Sequence, residues 1–236
     1  MPSTTRGFTK QTRHQSSFAE NLQFYRRLGL ARLIIADGMQ RSGSTLLFNM
    51  VRLILLSDER SKLTSGWIKD FATLPPGNVF LLKCHGVDAW KIRRAALLFY
   101  TYRDIRDALV SKFRKFNQAP SIEMVRKWVV QFDTARKHAD LMIRYEDMVG
   151  DVHGTVEKVA KSLRISVPTE TITRELPSSF EDDNSGDRYS KTTLLHKDHI
   201  TGTHSGEWRQ VLDKDLQRQI DAEFGWWFSE NGYEKL

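Results

Sequence analysis

The sequence predicts one α/β domain in which a central parallel sheet is flanked by helices and carries a phosphate-loop (P-loop) type of nucleotide site. Three observations predict it. Short continuous apolar runs alternate with stretches of helical apolar spacing, the pattern of strands covered on both faces by the helices that follow them. A Gly- and Ser-rich loop, Gly38 to Thr45, joins the first apolar run to the first helical stretch. The 236 residues are 40% hydrophobic and 11% aromatic, enough for a core, and no internal repeat or low-complexity tract breaks them.

Residues 1–28 are read as a basic segment ahead of a domain spanning 29–236. Through residue 32 the chain holds Arg6, Lys10, Arg13, Arg26, Arg27 and Arg32 against Glu20 alone, which reads first as a solvated tail. Leu33 to Ala36 form a buried strand ending at Asp37-Gly38, and Leu46 to Leu56 a helix. Val79 to Lys83, after Pro75-Pro76-Gly77, is a second strand and Ala95 to Tyr102 a third. Ile105, Leu109, Phe113 and Phe116 make the stripe of the next helix; Ile122, Val125, Val129 and Phe132 make another, followed by a strand at Leu141 to Ile143. Beyond Pro168, Pro177 to Ser190 and His196 to Gly206 read as a long loop, of a length that is usually functional. Leu212, Leu216, Ile220 and Phe224 restore helical spacing, with Trp226, Trp227 and Phe228 as core or interface anchors.

Composition narrows the setting. With 36 basic and 29 acidic residues the formal charge is +7. A single cysteine, Cys84, excludes an internal disulfide framework and fits a reducing compartment. No apolar run approaches the roughly 18 residues of a membrane span, and the basic leader lacks the apolar stretch of a secretory signal, so a cytoplasmic protein is expected.

Gly38-Met39-Gln40-Arg41-Ser42-Gly43-Ser44-Thr45 has the layout of an anion cradle: glycines let backbone N–H groups turn inward, and the helix start adds partial positive charge. Ser44 stands where nucleotide triphosphatases carry the lysine that reaches the β and γ phosphates, and the second strand ends in Lys83 rather than in a metal-holding Asp. That counts against ordinary ATP or GTP hydrolysis, and no metal site is expected. The alternative is a turn that merely links strand to helix.

The strand period of two sends Lys83 and His85 to one side and Cys84 to the other, at the carboxyl edge where open parallel sheets bind ligands. An imidazole there can accept an alcohol's proton while a lysine offsets developing negative charge. The alternative is a strand end drifting into solvent. In Tyr102-Arg103-Asp104-Ile105-Arg106-Asp107, Arg103 can grip a phosphate, or it can share a helix-start ion network with Asp107 and Arg106. His196, His199, His204 and Asp198 lack the cysteines that would make a zinc reading strong and are read as part of a lid, with His199 facing the site.

Together these segments resemble the sulfotransferases that use 3′-phosphoadenosine 5′-phosphosulfate (PAPS). Gln40-Arg41-Ser42-Gly43-Ser44-Thr45 is similar to that family's 5′-phosphosulfate loop, and Arg103 with Ser111, eight positions on, to its 3′-phosphate segment. Lys83-Cys84-His85-Gly86 resembles the Lys-Thr-His strand end bearing the catalytic base. Arg144-Tyr145-Glu146-Asp147 resembles the Tyr-Glu-Asp segment at the nucleotide, Ser178-Ser179-Phe180 a stretch beside the adenine, and Gly206-Glu207-Trp208-Arg209 a late Gly-Asp-Trp-Lys segment. The chain departs from the family at Gly202, four residues before Gly206 instead of three, with Thr203 in the expected place.

The resemblance implies in-line sulfuryl transfer from PAPS to a hydroxyl of a small molecule or glycan, without a metal. It implies His85, Lys83 and Arg41 as the catalytic groups. It implies Gln40, Arg41, Ser42, Gly43, Ser44, Thr45, Arg103, Ser111, Tyr145, Ser178, Phe180, Gly206 and Trp208 as the donor-binding set. A kinase-like phosphotransferase and a non-catalytic nucleotide-binding module are the alternatives; no nucleic-acid polymer is expected as a partner, and oligomeric state stays open.

Overall fold

The computed structural model describes residues 32–71, 78–181, 190–195 and 204–236, with backbone alone for Trp90 and for 177–181. The basic segment 1–28 and the candidate lid residues His196 and His199 lie outside the described residues, as do Gly202 and Thr203.

Five parallel strands form one sheet in the order β2-β3-β1-β4-β5. They are β1 (Arg32–Gly38), β2 (Leu63–Trp67), β3 (Val79–Lys83), β4 (Leu97–Tyr102) and β5 (Leu141–Arg144). The central β1 is buried from Leu33 to Gly38, and β3 along its whole length, because helices cover both faces. Side-chain alternation splits the core. Ile34, Ala36, Leu81 and Phe99 face helix α1 (Ser44–Leu56) and its neighbours, whereas Leu33, Ile35, Leu82 and Cys84 turn to the other face. Each fully buried Leu or Phe there contributes about 1.5–3 kcal/mol of transfer free energy.

After β3 come α2 (Ala89–Arg94), then β4, α3 (Ile105–Phe116) and α4 (Ile122–Arg136). Past β5 follow α5 (Tyr145–Gly150), α6 (Val152–Leu163), α7 (Thr169–Glu181), the short α8 (Trp208–Val211) and α9 (Lys214–Glu230). Ile105, Leu109, Trp128, Phe132, Trp227 and Phe228 make the second core layer.

Several expectations need correction. Strand β2 was not expected: Leu-Thr-Ser-Gly-Trp is a polar edge strand paired on one side only, and so has no continuous apolar run. The strand expected from Ala95 starts at Leu97, its first residues closing α2 instead. Pro177 lies inside α7, so the loop expected from Pro177 starts no earlier than the end of that helix at Glu181. Phe116 and Trp226 are 57% and 42% exposed and leave the core to their neighbours. No helix among the described residues is long and apolar enough to cross a membrane.

Candidate functional site

Because all strands run parallel, every carboxyl end falls on one edge. The chain leaves β1 toward β2 and β3 on one side and then crosses from β3 to β4 on the other, so the strand order reverses beside β1 and a crevice opens over its end. The loop from Gly38 to Thr45 sits there. Met39 N–H donates to the Thr101 carbonyl at 2.9 Å, and the Ser42 hydroxyl is 2.6 Å from the Met39 carbonyl and 2.7 Å from Thr101 Oγ1, pinning the loop to β4. Arg41 and Gly43 both adopt positive φ, 67° and 78°, which turns successive amides the same way as in an anion nest. A Cβ at Gly43 would stand 2.5 Å from Met148 Cε and 2.8 Å from Tyr145 Cδ2, so only glycine fits. Gly43 also caps α1 without a side-chain acceptor, and no acid occupies the first turn, leaving the dipole's positive end to an anion.

Cations converge on that end. Arg41 Nε donates to Ser111 Oγ at 2.9 Å, bringing the loop against α3. Burial lowers the Arg41 pKa, and Arg103 adds like-charge repulsion. Arg103, 3% exposed, lies 4.4 Å over the Tyr145 ring and 4.0 Å from the Glu146 carboxylate. From β3 the Lys83 ammonium donates to Thr45 Oγ1, and burial pushes its pKa down to about 7 against the pull of Asp37.

His85 stands just past Lys83, and the two share Trp67 on β2: the imidazole meets the indole edge-on at 5.0 Å, and Lys83 Nζ is 5.2 Å from its centroid. Desolvation, then the charge of Lys83, push the His85 pKa down to about 4, so the ring is neutral at physiological pH. Its Nδ1 lies 4.0 Å from Asp37 Oδ1. The Cys84 thiol packs in the core and donates to Asp37 Oδ2 at 3.5 Å.

Contacts thus join Arg41, Ser42, Gly43, Thr45, Lys83, Arg103, Ser111 and Tyr145, with Ser44 buried at the helix start and His85 beside Lys83. Gln40 is half-buried on the loop. The backbone of Ser178 and Phe180 lies in α7, but their side chains are outside the described residues. Gly206 N–H donates to Asp107 at 2.8 Å, and Trp208 is buried under Arg106, its ring 3.8 Å from the guanidinium carbon.

The helix-start network expected among Arg103, Asp107 and Arg106 is replaced by another arrangement. Arg106 pairs with the N-cap Asp104 at 2.7 Å, and Asp107 accepts the backbone of Gly206 and Trp208. Arg103 lies over Tyr145, and its charge still acts on Asp107. Sequence reasoning missed Asp37, Trp67 and Asp107. An acid closing an otherwise apolar strand was a readable signal for Asp37, whereas Trp67 lay in an unrecognised strand. No group of acids, histidines and cysteines among the described residues could hold a metal ion.

Comparisons with known proteins bear on the fold. Residues 119–232 match the model of the Sulfotransferase domain. No curated protein matches the sequence. A mouse sulfotransferase, SULT7A1, solved with PAP, superposes with a TM-score of 0.63 at 14% identity, covering 89% of each chain. Retinol dehydratase with androsterone and PAP gives 0.60 at 16% identity, over 90% of this chain and 84% of that one. The same enzyme with retinol and PAP gives 0.58 at 16% identity over the same shares. The fold is the one these proteins share.

Proposed function

We propose, taking as premise the matched Sulfotransferase domain and the shared fold, that this chain moves a sulfuryl group from PAPS to a hydroxyl acceptor. One observation carries the reading: an uncapped helix start, two neighbouring guanidiniums and a buried ammonium converge on the same sheet edge as a neutral imidazole. Such a cradle calls for an anion with phosphates at both ends, and the imidazole for a proton.

In this reading the amides of Ser42 to Thr45, with Arg41 and Lys83, bind the 5′-phosphosulfate and offset the charge that develops as the leaving oxygen departs. Arg103 and Ser111 hold the 3′-phosphate, with Tyr145 beside the nucleotide. Gln40, Ser178, Phe180, Gly206 and Trp208 complete the donor-binding set that the resemblance implies. His85 takes the acceptor's proton as its oxygen attacks sulfur in line with the departing phosphate oxygen; the loose transition state leaves positioning and charge stabilisation to the protein.

The retinol and androsterone bound to retinol dehydratase support a small molecule as acceptor; a glycan hydroxyl is the other class in this reading. The decisive experiment combines thermal shift with adenosine 3′,5′-bisphosphate, with and without magnesium, and transfer of labelled sulfuryl from PAPS to a panel of hydroxyl acceptors. Metal-independent stabilisation and a labelled product are expected. Stabilisation by ATP with magnesium alone would assign a kinase instead.

A further inference from the structure

The donor reading leaves the Asp37 carboxylate unused. It is the last residue but one of β1 and has 0% exposure. Oδ1 accepts the Gly38 N–H at 2.7 Å and Oδ2 faces Cys84 Sγ at 3.5 Å, so strand-end groups fix both oxygens. Its charged neighbours are Lys83 and Lys91, with the Tyr100 phenol also in its field. The Lys91 ammonium is itself held by the Gly86 carbonyl at 2.6 Å and Asp88 at 2.8 Å, while Lys83 is turned to Thr45.

A buried carboxylate is costly to keep, and burial pushes Asp37 up to about 7. His85 is within reach of it. Asp37 lies 4.0 Å from Nδ1 and Trp67 meets the ring edge-on, so two flanks of the imidazole are occupied while 38% of the side chain remains open to the crevice. The other charges reaching the ring, Lys83, Lys69 and Lys112, are all positive and oppose its protonation, and only a hydrogen bond to the Gly38 backbone acts the other way. A base in such a field accepts a proton readily only beside a negative charge.

We propose that Asp37 is a positioning residue for His85, holding the Nδ1 side of the ring so that Nε2 faces the acceptor, and balancing the positive charge that the ring gains with the acceptor's proton. The inference rests on His85 being the base. The acceptor oxygen bonds to sulfur as the bond from sulfur to the 5′-phosphate oxygen breaks; the electron pair leaves with that phosphate, and the proton goes to Nε2 and then to solvent at the open edge. The gap of 4.0 Å exceeds a hydrogen bond and closes once the ring is charged, as catalytic contacts often tighten only in the reacting complex.

The test is Asp37→Asn in the full chain, which keeps the oxygen that Gly38 needs. Turnover with PAPS should fall roughly 10²-fold or more, with KM for the donor changed less than about threefold. The loss should be full at pH 8, where the Asp37 carboxylate is ionised, and smaller at pH 6, where the native carboxyl is itself largely protonated. A second measurement needs no turnover: ¹⁵N NMR of the His85 ring at pH 7.5, assigned by its disappearance in His85→Gln, should report Nδ1–H in the native protein and a mixture of tautomers in the variant.

Native turnover in Asp37→Asn overturns the proposal, and so does a fall in turnover with an unchanged tautomer. Should Asp37→Asn fail to fold, Asp37→Ser carries the same expectations. If the native chain transfers no sulfuryl group, the functional reading fails, and the NMR measurement still decides whether Asp37 orients His85.

Discussion

Lys83 makes donor binding a proton-uptake reaction. Its ammonium is buried and titrates near pH 7 in the free protein, because desolvation outweighs the attraction of Asp37. A bound bisphosphate supplies negative charge and returns that pKa toward the ordinary lysine range. At pH 8, one unit above the free value, about 0.9 of the protein carries a neutral Lys83 and takes up about 0.9 proton per ligand bound; at pH 6 the uptake is about 0.1. Affinity for adenosine 3′,5′-bisphosphate should therefore fall roughly tenfold for each unit above pH 7, while protonation of the ligand's own phosphates weakens it below about pH 6.

Isothermal titration calorimetry in two buffers of different ionisation enthalpy reads the proton count directly. Lys83→Met should bind more weakly at pH 6 and show no uptake at pH 8. Equal heats in the two buffers at pH 8 with the native protein would refute the reasoning, since the ammonium would then be charged before the ligand arrives.

Three other outcomes are expected. His85→Ala should lose about 10²–10⁴-fold in turnover, as for removal of a general base, while adenosine 3′,5′-bisphosphate still raises its melting temperature. Arg103→Ala should weaken that bisphosphate by about 1.5–3 kcal/mol, the worth of a charge-assisted contact, and leave adenosine 5′-monophosphate binding unchanged; equal losses for both would remove Arg103 from the 3′-phosphate. Gly43→Ala should cost about 1–3 kcal/mol for crowding against Tyr145 and Met148 besides the strain of positive φ, read as a lower melting temperature and lost bisphosphate binding.

The parts of the fold that were legible in the sequence share one property. β1, β3, α4 and α9 each bury a continuous run or most of a stripe, α3 buries the Ile105 and Leu109 half of its stripe, and the residues that define them are apolar. β2 is an edge strand that relies on its partner's backbone, and α7 keeps its proline, so neither announces itself by composition. At the site, the loop, Lys83, Arg103 and Ser111 were readable because charge and glycine spacing are local signals. Trp67 acquires meaning only when β2 is seen beside β3, and Asp107 only when the Gly206 turn folds back onto α3. Those are facts of long-range pairing, which period and propensity do not carry.

The phosphate loop, Lys83 and Arg103 extend three hydrogen-bonded neighbours, with Ala36 in register with Lys83 and Gly38 in register with Thr101. The gauge between them is the ladder's own spacing of about 4.8 Å, ruled by main-chain atoms that no substitution alters. Outlying segments can be rebuilt for new acceptors while this rail stays true, so catalytic alignment and substrate choice are free to evolve on separate parts of the chain.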